Sequence, residues 1–128
     1  MNPAADSASN NGLPTDADPK TAEKRQNPRY QVNRPAYLVR GESPLKVRAV
    51  DISIGGAAVI SPELLAPGTT CVLRIAFWFG HEPTLFEAQC SVVHSSIVGM
   101  DGHRIGMRFT SVSKSSQQTL QRFFDRRH

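Results

Sequence analysis

Short segments in which apolar and polar residues alternate recur along most of this chain. In residues 71–77 the odd-numbered positions, beginning with Cys71 and Leu73, are all apolar, whereas Arg74 stands among the even-numbered ones. Side chains of a β-strand point alternately to the two faces of a sheet, so this period of two predicts strands with one buried face. A chain patterned in this way is restricted to sheet architectures.

Six segments of this kind are separated by turns rich in Gly and Pro, with no long helix between them. They predict an all-β fold, a six-stranded antiparallel β-barrel, because closing the sheet removes exposed strand edges. Residues 41–44 are the predicted turn of the first hairpin, and residues 63–68 form either a short helical turn or a loop. The predicted strands include residues 37–39, 45–49, 57–60, 71–77, 85–94 and 103–109. The predicted inward residues of the last three are Cys71, Leu73, Ile75 and Phe77, then Phe86, Ala88, Cys90 and Val92, then Ile105, Met107 and Phe109.

The C-terminal residues follow a different period. Leu120, Phe123 and Phe124 are spaced i, i+3, i+4, which predicts one α-helix that covers an opening or a side of the barrel. Ser115 and Gln118 are spaced as a capping box at its start. The predicted fold is therefore a six-stranded antiparallel barrel with a C-terminal α-helix.

The charge divides the chain into two parts. The net charge is +4, but three aspartates and one lysine give residues 1–20 a charge of −2, so residues 21–128 carry +6. Residues 1–22 also contain no aromatic residue, and Leu13 is their single large aliphatic one. Such a segment cannot offset the entropy cost of ordering. We expect a disordered tail over residues 1–22 and a basic folded domain over residues 23–128.

Several protein classes are disfavoured. No run approaches the roughly 18 apolar residues of a membrane span, and there is no signal peptide, so we expect a cytoplasmic protein without membrane insertion. Cys71 and Cys90 lack ligand spacing and are predicted to be free buried thiols. The sequence contains no metal-binding cluster, phosphate-binding loop or nucleophile–base pair. We therefore expect a protein that is not an enzyme and has no metal or other cofactor.

The first polar motif lies just before the predicted barrel. Arg25 and Arg29 are four residues apart, and Pro28 between them disfavours a helix, so the segment is predicted to be an extended loop. A guanidinium group suits phosphate oxygens and the O6/N7 edge of guanine. The alternative is a basic flank of the barrel that only contacts solvent. Arg104 and Arg108, on the last strand, are predicted to be ordinary surface residues.

The second polar motif connects the second and third strands. It contains Asp51, Ser53 and the pair Gly55 and Gly56. A carboxylate accepts what the N1–H and N2–H₂ groups of guanine donate, and the glycines permit close approach or unusual backbone angles. The alternative is a turn in which these side chains bond to their own backbone.

Together, the two motifs resemble the signature of the PilZ domain family, R-x-x-x-R followed after one hairpin by [D/N]-x-S-x-x-G. Residues 104–109 also look like the G-x-x-F segment of that family, and the resemblance spans residues 23–128. It implies a six-stranded barrel with a C-terminal helix and a receptor for cyclic di-GMP. By this resemblance Arg25 and Arg29 would hold guanines and phosphates, Asp51 and Ser53 would bond a guanine, and Gly56 would allow its approach.

Three further residues have weaker assignments. In similar domains the position of Lys24 influences whether one nucleotide or a stacked pair binds, although an ordinary exposed lysine is the alternative. His94 could stack on a base or could simply end its strand. Trp78 is either a core residue or part of a surface patch, with Phe79, that contacts a partner.

The expected function is that of a cyclic di-GMP receptor that changes conformation at its arginine segment and signals through an unknown partner protein. The alternative is a nucleotide-independent PilZ-like adaptor for pilus or flagellar machinery. A barrel that binds single-stranded nucleic acid would need exposed aromatic residues between basic ones. Only 7% of the residues are aromatic and most are predicted to face the core, so nucleic acid is not an expected partner.

Overall fold

The computed structural model describes residues 28–126, so the predicted tail, Lys24 and Arg25 lie outside the described residues. A 3₁₀ turn at Gly99–Asp101 separates the last two strands. The strands are β1 (Tyr30–Arg40), β2 (Ser43–Ile52), β3 (Gly56–Ser61), β4 (Thr70–Phe79), β5 (Glu82–Ile97) and β6 (His103–Val112), and one helix, α1 (Lys114–Asp125), follows them.

The six strands form a closed ring in the order β1-β2-β3-β6-β5-β4, and every neighbouring pair is antiparallel. Pairing of β1 with β4 closes the ring. The predicted six-stranded antiparallel barrel with a C-terminal helix is therefore confirmed. Gly41 and Gly80 adopt positive φ in the two-residue turns that join β1 to β2 and β4 to β5. A residue with a Cβ would be strained there.

The strands are longer than the alternating pattern predicted, and irregular pairing interrupts the period of two in β1, β2 and β5. The register between β5 and β6 shifts between Val92 and His94. Val92 is buried, but both Val93 and His94 are exposed, which strict alternation does not allow. A bulge of this kind turns consecutive side chains to the same face. It places His94 on the outer wall of the barrel.

The core contains the predicted inward faces of β4, β5 and β6, although Phe109 is only partly buried. Cys71 and Cys90 face each other across β4 and β5 as free buried thiols, as predicted. Burial raises the pKa of the Cys71 thiol, and burial together with the neighbouring Cys71 raises the pKa of Cys90 to about 12. These thiols pack as apolar groups.

Helix α1 begins one residue before the predicted capping position. Its N-cap is Ser113, whose extended backbone lets the side chain accept a hydrogen bond from the Ser116 N–H at 3.2 Å. The predicted capping box at Ser115 and Gln118 is thus wrong, because Ser115 already lies inside the first turn. Ser116 is buried and accepts a hydrogen bond from the Glu87 N–H at 3.0 Å, which joins this first turn to β5.

The helix covers one mouth of the barrel. Its predicted apolar residues Leu120, Phe123 and Phe124 all pack in the core. The ring of Phe123 lies 4.5 Å from that of Phe77, and Phe124 stacks on Tyr30 at 4.7 Å. Arg122 lies 4.1 Å from the ring centre of Phe79.

Phe79 is therefore buried, and its expected place in a surface patch with Trp78 is wrong; Trp78 itself is exposed. The loop between β3 and β4 contains no helix, which leaves the loop alternative for residues 63–68. Ser61 anchors that loop by bonding to both the N–H and the carbonyl of Glu63. Within residues 28–126, no helix has the length and apolar character needed to span a membrane.

Candidate functional site

The two polar motifs meet where β1 begins and β2 ends. Gln31 pairs with Asp51 in the β1–β2 ladder, so Arg29 emerges beside the carboxylate. The Arg29 Nη1 atom donates to the Asp51 Oδ2 atom at 3.0 Å. The Arg29 side chain remains 67% exposed, whereas that of Asp51 is only 15% exposed. A largely exposed cation thus contacts a largely buried carboxylate.

A second arginine reaches the same carboxylate oxygen from β6. The Arg104 Nη2 atom lies 3.3 Å from the Asp51 Oδ2 atom. Arg104 was predicted to be an ordinary surface residue. Its contact with Asp51 could not be predicted from alternation, because it depends on the strand order that places β6 beside β3, one strand away from Asp51.

The other oxygen of the carboxylate has no such partner. Asp51 Oδ1 is buried and accepts no hydrogen bond from residues 28–126. A buried acceptor normally has a donor, and leaving one unsatisfied costs free energy. The carboxylate therefore keeps an unused capacity to accept hydrogen bonds beside the oxygen that the arginines already occupy.

Ser53 shapes the loop that follows Asp51. It is buried, its backbone N–H donates to the Gly56 carbonyl at 2.8 Å, and its hydroxyl donates to the same oxygen at 3.3 Å. The hydroxyl also accepts from the Gly55 N–H at 3.3 Å. This is the self-bonded turn that was the alternative interpretation of the motif, and it applies to Ser53 but not to Asp51.

The two glycines of the motif have different surroundings. A Cβ atom on Gly56 would lie 2.3 Å from the Met107 carbonyl oxygen, because β6 approaches closely there. A Cβ atom on Gly55 would meet nothing within 4 Å. The Gly55 carbonyl accepts the Phe109 N–H at 2.9 Å, which ties the loop to β6. Gly56 is thus required by strand packing, and the open space lies over Gly55.

A row of laterally paired residues extends from Asp51 across the wall of the barrel. Asp51 pairs with Ala58 on β3, Ala58 with Gly106 on β6, and Gly106 with His94 on β5. At ordinary strand spacing the row spans about 14 Å. Ala58 is only 2% exposed, whereas His94 is exposed at the far end of the row.

A cavity of about 530 Å³ lies next to the site, between the β2–β3 loop and α1. Ile54 and Gly55 of the motif line it, together with Phe109 and Leu120, whereas Asp51 does not. Among residues 28–126, no group of three or more His, Cys, Asp or Glu side chains could hold a metal ion.

Comparison with known proteins connects this arrangement to a family. A family model described as the PilZ domain matches residues 23–126. The fold is similar to that of the Bacillus subtilis inhibitor of motility (MotI/DgrA), with 20% identity and a TM-score of 0.70. That match covers 80% of this chain and 50% of the other, so the chain spans about half the length of that protein. No curated protein matches the sequence.

Two other similar structures contain a nucleotide. The PilZ domain of YcgR from Escherichia coli, solved with c-di-GMP, has 20% identity and a TM-score of 0.60, and the match covers 78% of this chain and 88% of that one. The MrkH–c-di-GMP complex from K. pneumonia has 17% identity and a TM-score of 0.60, with 78% and 50% coverage. At such identities the structural likeness establishes the fold alone.

Proposed function

This chain belongs to the PilZ domain family, and we propose that it is a receptor for cyclic di-GMP that signals through a partner protein. Two similar structures contain that nucleotide, which supports the ligand class. In this proposal the protein is a ligand-binding adaptor and not an enzyme.

The contact between Arg29 and Asp51 carries the proposal, because it joins the two motifs across 22 residues of sequence. Cyclic di-GMP has two guanines and two phosphate charges. The N1–H and N2–H₂ groups of a guanine can replace the arginines on the Asp51 carboxylate. Each released guanidinium can then donate to a phosphate or to the O6/N7 edge of guanine. Binding in this view is an exchange of partners at one carboxylate.

The remaining site residues take the following roles in the proposal. Arg25 is the second cation of the arginine segment, and Ser53 holds the loop in the shape that presents Asp51. Gly55 leaves space for a base, and Gly56 keeps β3 close to β6. His94, which is exposed on β5, stacks on a base, and Lys24 influences whether one nucleotide or a stacked pair binds.

The arginine segment is proposed to fold over the ligand when the nucleotide binds. The 67% exposure of the Arg29 side chain supports this idea, since most of that group is not committed to the barrel. Hydrogen exchange in residues 20–34 should slow when the nucleotide is added. Equal exchange with and without nucleotide, in a sample that calorimetry shows to be bound, contradicts the conformational change but not the binding.

Titration calorimetry with cyclic di-GMP tests the binding itself. Arg29→Ala and Asp51→Ala should each weaken binding by at least about tenfold, since each removes a charge-assisted contact. Arg40→Ala is the matched control for Arg29→Ala: Arg40 ends β1, the strand that Arg29 immediately precedes, and it also pairs with a carboxylate, Glu63 at 3.2 Å, so the charge change is the same. Equal weakening by the control would show that only net charge matters. Binding of GTP or cyclic di-AMP with similar affinity would contradict guanine selection by Asp51.

One observation favours a second function. Asp51 is occupied by two arginines of its own chain, and the Ser53 hydroxyl bonds to its own loop, so most of the motif is satisfied without a ligand. This is what a nucleotide-independent adaptor for pilus or flagellar machinery would show. Absence of heat when the wild-type protein is titrated at tens of micromolar would favour that alternative.

A further inference from the structure

The outer wall formed by β1, β4 and β5 has an apolar surface that the nucleotide site does not use. In the pairing register Tyr37 faces Arg74, Ala76 faces Leu85 and Trp78 faces Pro83, so these apolar side chains lie in adjacent rows. Trp78 is 56% exposed, Leu85 55% and Tyr37 44%. We call this group the Trp78 surface; its members are Tyr37, Ala76, Trp78, Pro83 and Leu85.

The Trp78 surface and the nucleotide site are centred on opposite strands of the ring. In the ring order β1-β2-β3-β6-β5-β4, the strand opposite β3 is β4. Helix α1 buries Phe123 and Phe124 in the mouth of the barrel. The apolar face of the helix is therefore used at the mouth, and Trp78 remains exposed on the wall. Adjacent exposed aromatic and aliphatic side chains of this size are typical of a protein interaction site.

The charged residues around the Trp78 surface indicate what kind of partner it fits. On the β2 side, Lys46 faces Tyr37 and Arg48 faces Pro35 in the pairing register. At the mouth, Arg122 and Arg126 lie 4.1 and 5.6 Å from the ring centre of Phe79, the sequence neighbour of Trp78. Glu82 faces Phe79 across β4 and β5. The Arg74–Glu87 ion pair is internally neutral, so the contacts that remain at the border are mainly basic.

This charge pattern distinguishes between two occupants. A second copy of the chain would bring like charges together around the apolar centre, which is unfavourable. A partner with carboxylates around its own apolar residues would pair with Lys46, Arg48 and the arginines at the end of α1. Charge complementarity therefore selects an acidic partner over self-association.

The shape of the surface indicates the partner's secondary structure. Because the ring is closed, this wall offers no free strand edge to which another strand could add. Three rows of side chains along β4 extend about 14 Å, which is roughly two and a half turns of an α-helix. We propose that the Trp78 surface docks an acidic amphipathic helix of a partner protein. This proposal names the surface and the kind of partner through which the protein would signal. It rests on the partner-signalling part of the proposed function and not on nucleotide binding.

A fluorescence titration tests this proposal without nucleotide, so its failure is distinguishable from failure of cyclic di-GMP binding. Trp78 is the single tryptophan of the chain and reports directly on the surface. The probe is a synthetic 18-residue, tryptophan-free helical peptide with leucines on one face and glutamates on the other. The control peptide carries lysines in place of the glutamates. The glutamate peptide should shift the Trp78 emission saturably to the blue, and the lysine peptide should bind at least about tenfold more weakly.

Two matched variants locate the binding. Leu85→Ser should weaken the glutamate peptide by about tenfold, because an apolar contact is lost. Leu64→Ser should leave it unchanged within about twofold, because Leu64 is similarly exposed at 62% but lies in the β3–β4 loop. No emission shift with the glutamate peptide, equal binding of both peptides, or equal effects of both variants would overturn the proposal. A dimer in sedimentation that Leu85→Ser disrupts would also overturn it, because the occupant would then be a second copy.

Discussion

At the scale of single residues, Asp51 is notable because only one of its two carboxylate oxygens is used. Arg29 and Arg104 both contact Oδ2, while Oδ1 is buried without a donor from residues 28–126. A ligand that offers two parallel N–H groups, as guanine does, would satisfy both oxygens at once. The favourable free energy of binding would then come from two sources: a hydrogen bond to Oδ1, which has no donor from residues 28–126, and the charge-assisted contacts of the arginines.

The neighbouring glycines allow a paired test of packing. Gly56→Ala should destabilise the protein by about 1 to 3 kcal/mol, because its Cβ atom would collide with the Met107 carbonyl oxygen and β6 must move. Gly55→Ala should change stability by less than about 0.5 kcal/mol, since its Cβ atom meets nothing within 4 Å. Urea denaturation followed by circular dichroism measures both. Equal stability of the two variants would show that β3 and β6 can separate without cost.

The buried thiols make stability depend on alkaline pH. Burial raises the pKa of Cys71 above its ordinary value of 9.0 and that of Cys90 to about 12, so above pH 9 the folded state binds more protons than the unfolded state. The free energy of unfolding should therefore fall as pH rises above 9, by up to about 1.4 kcal/mol per pH unit from Cys90, and Cys71 should add to the fall in the same direction. Urea denaturation at pH 8, 9 and 10 measures this slope.

Cys90→Ala is the control for that measurement. It removes one of the two titrating groups, so its slope above pH 9 should be shallower than that of the wild-type protein by about the contribution of one thiol. A slope equal to that of the wild type would assign the pH dependence to other groups.

Residue patterns predicted part of this site. The spacing of Arg25, Arg29, Asp51 and Ser53 pointed to the two motifs, and the pairing of β1 with β2 brings Arg29 to Asp51. Arg104 was missed, because its contact depends on a pairing between strands distant in sequence. The role of Gly56 in packing against β6 was missed for the same reason.

At the scale of elements, the N-cap Ser113 determines where α1 begins, and the apolar residues of α1 determine which side of the helix packs against the barrel. The i, i+3, i+4 spacing predicted the buried side of the helix correctly. The cap position was not predictable from spacing alone, since Ser113, Ser115 and Ser116 are all capable caps. The backbone decides between them: Ser113 is extended, whereas Ser115 and Ser116 are helical.

Replacing the cap tests this assignment. Ser113→Ala should lower the free energy of unfolding by about 1 kcal/mol, because the Ser116 N–H loses its acceptor. Ser115→Ala keeps the cap and should change stability by less than about 0.5 kcal/mol. Urea denaturation of both variants and the wild type gives the comparison. A larger loss for Ser115→Ala would restore Ser115 as the cap.

At the scale of the whole molecule, the closed ring and the helix over its mouth form one core. Phe123 of α1 packs on Phe77 of β4, and Tyr30 of β1 stacks on Phe124. These core contacts join elements that are distant in sequence. Alternation predicted the number of strands, but the order β1-β2-β3-β6-β5-β4 results from tertiary packing that no local pattern records.

Unfolding should accordingly be a single transition. The Trp78 emission reports on the wall and the circular dichroism signal at 222 nm includes α1, and both should give the same urea midpoint. The slope should be about 1 to 3 kcal/mol per molar urea, as for other small domains. A helix signal lost at a lower urea concentration than the Trp78 signal would show that α1 undocks before the ring opens.

The stacking of Tyr30 on Phe124 has a consequence for protein architecture. It brings the first strand and the last helix of the described chain together at one mouth of the barrel. A domain whose chain enters and leaves at neighbouring points can be inserted into a longer polypeptide without forcing the flanking segments apart. Such a domain is easily reused beside different neighbours.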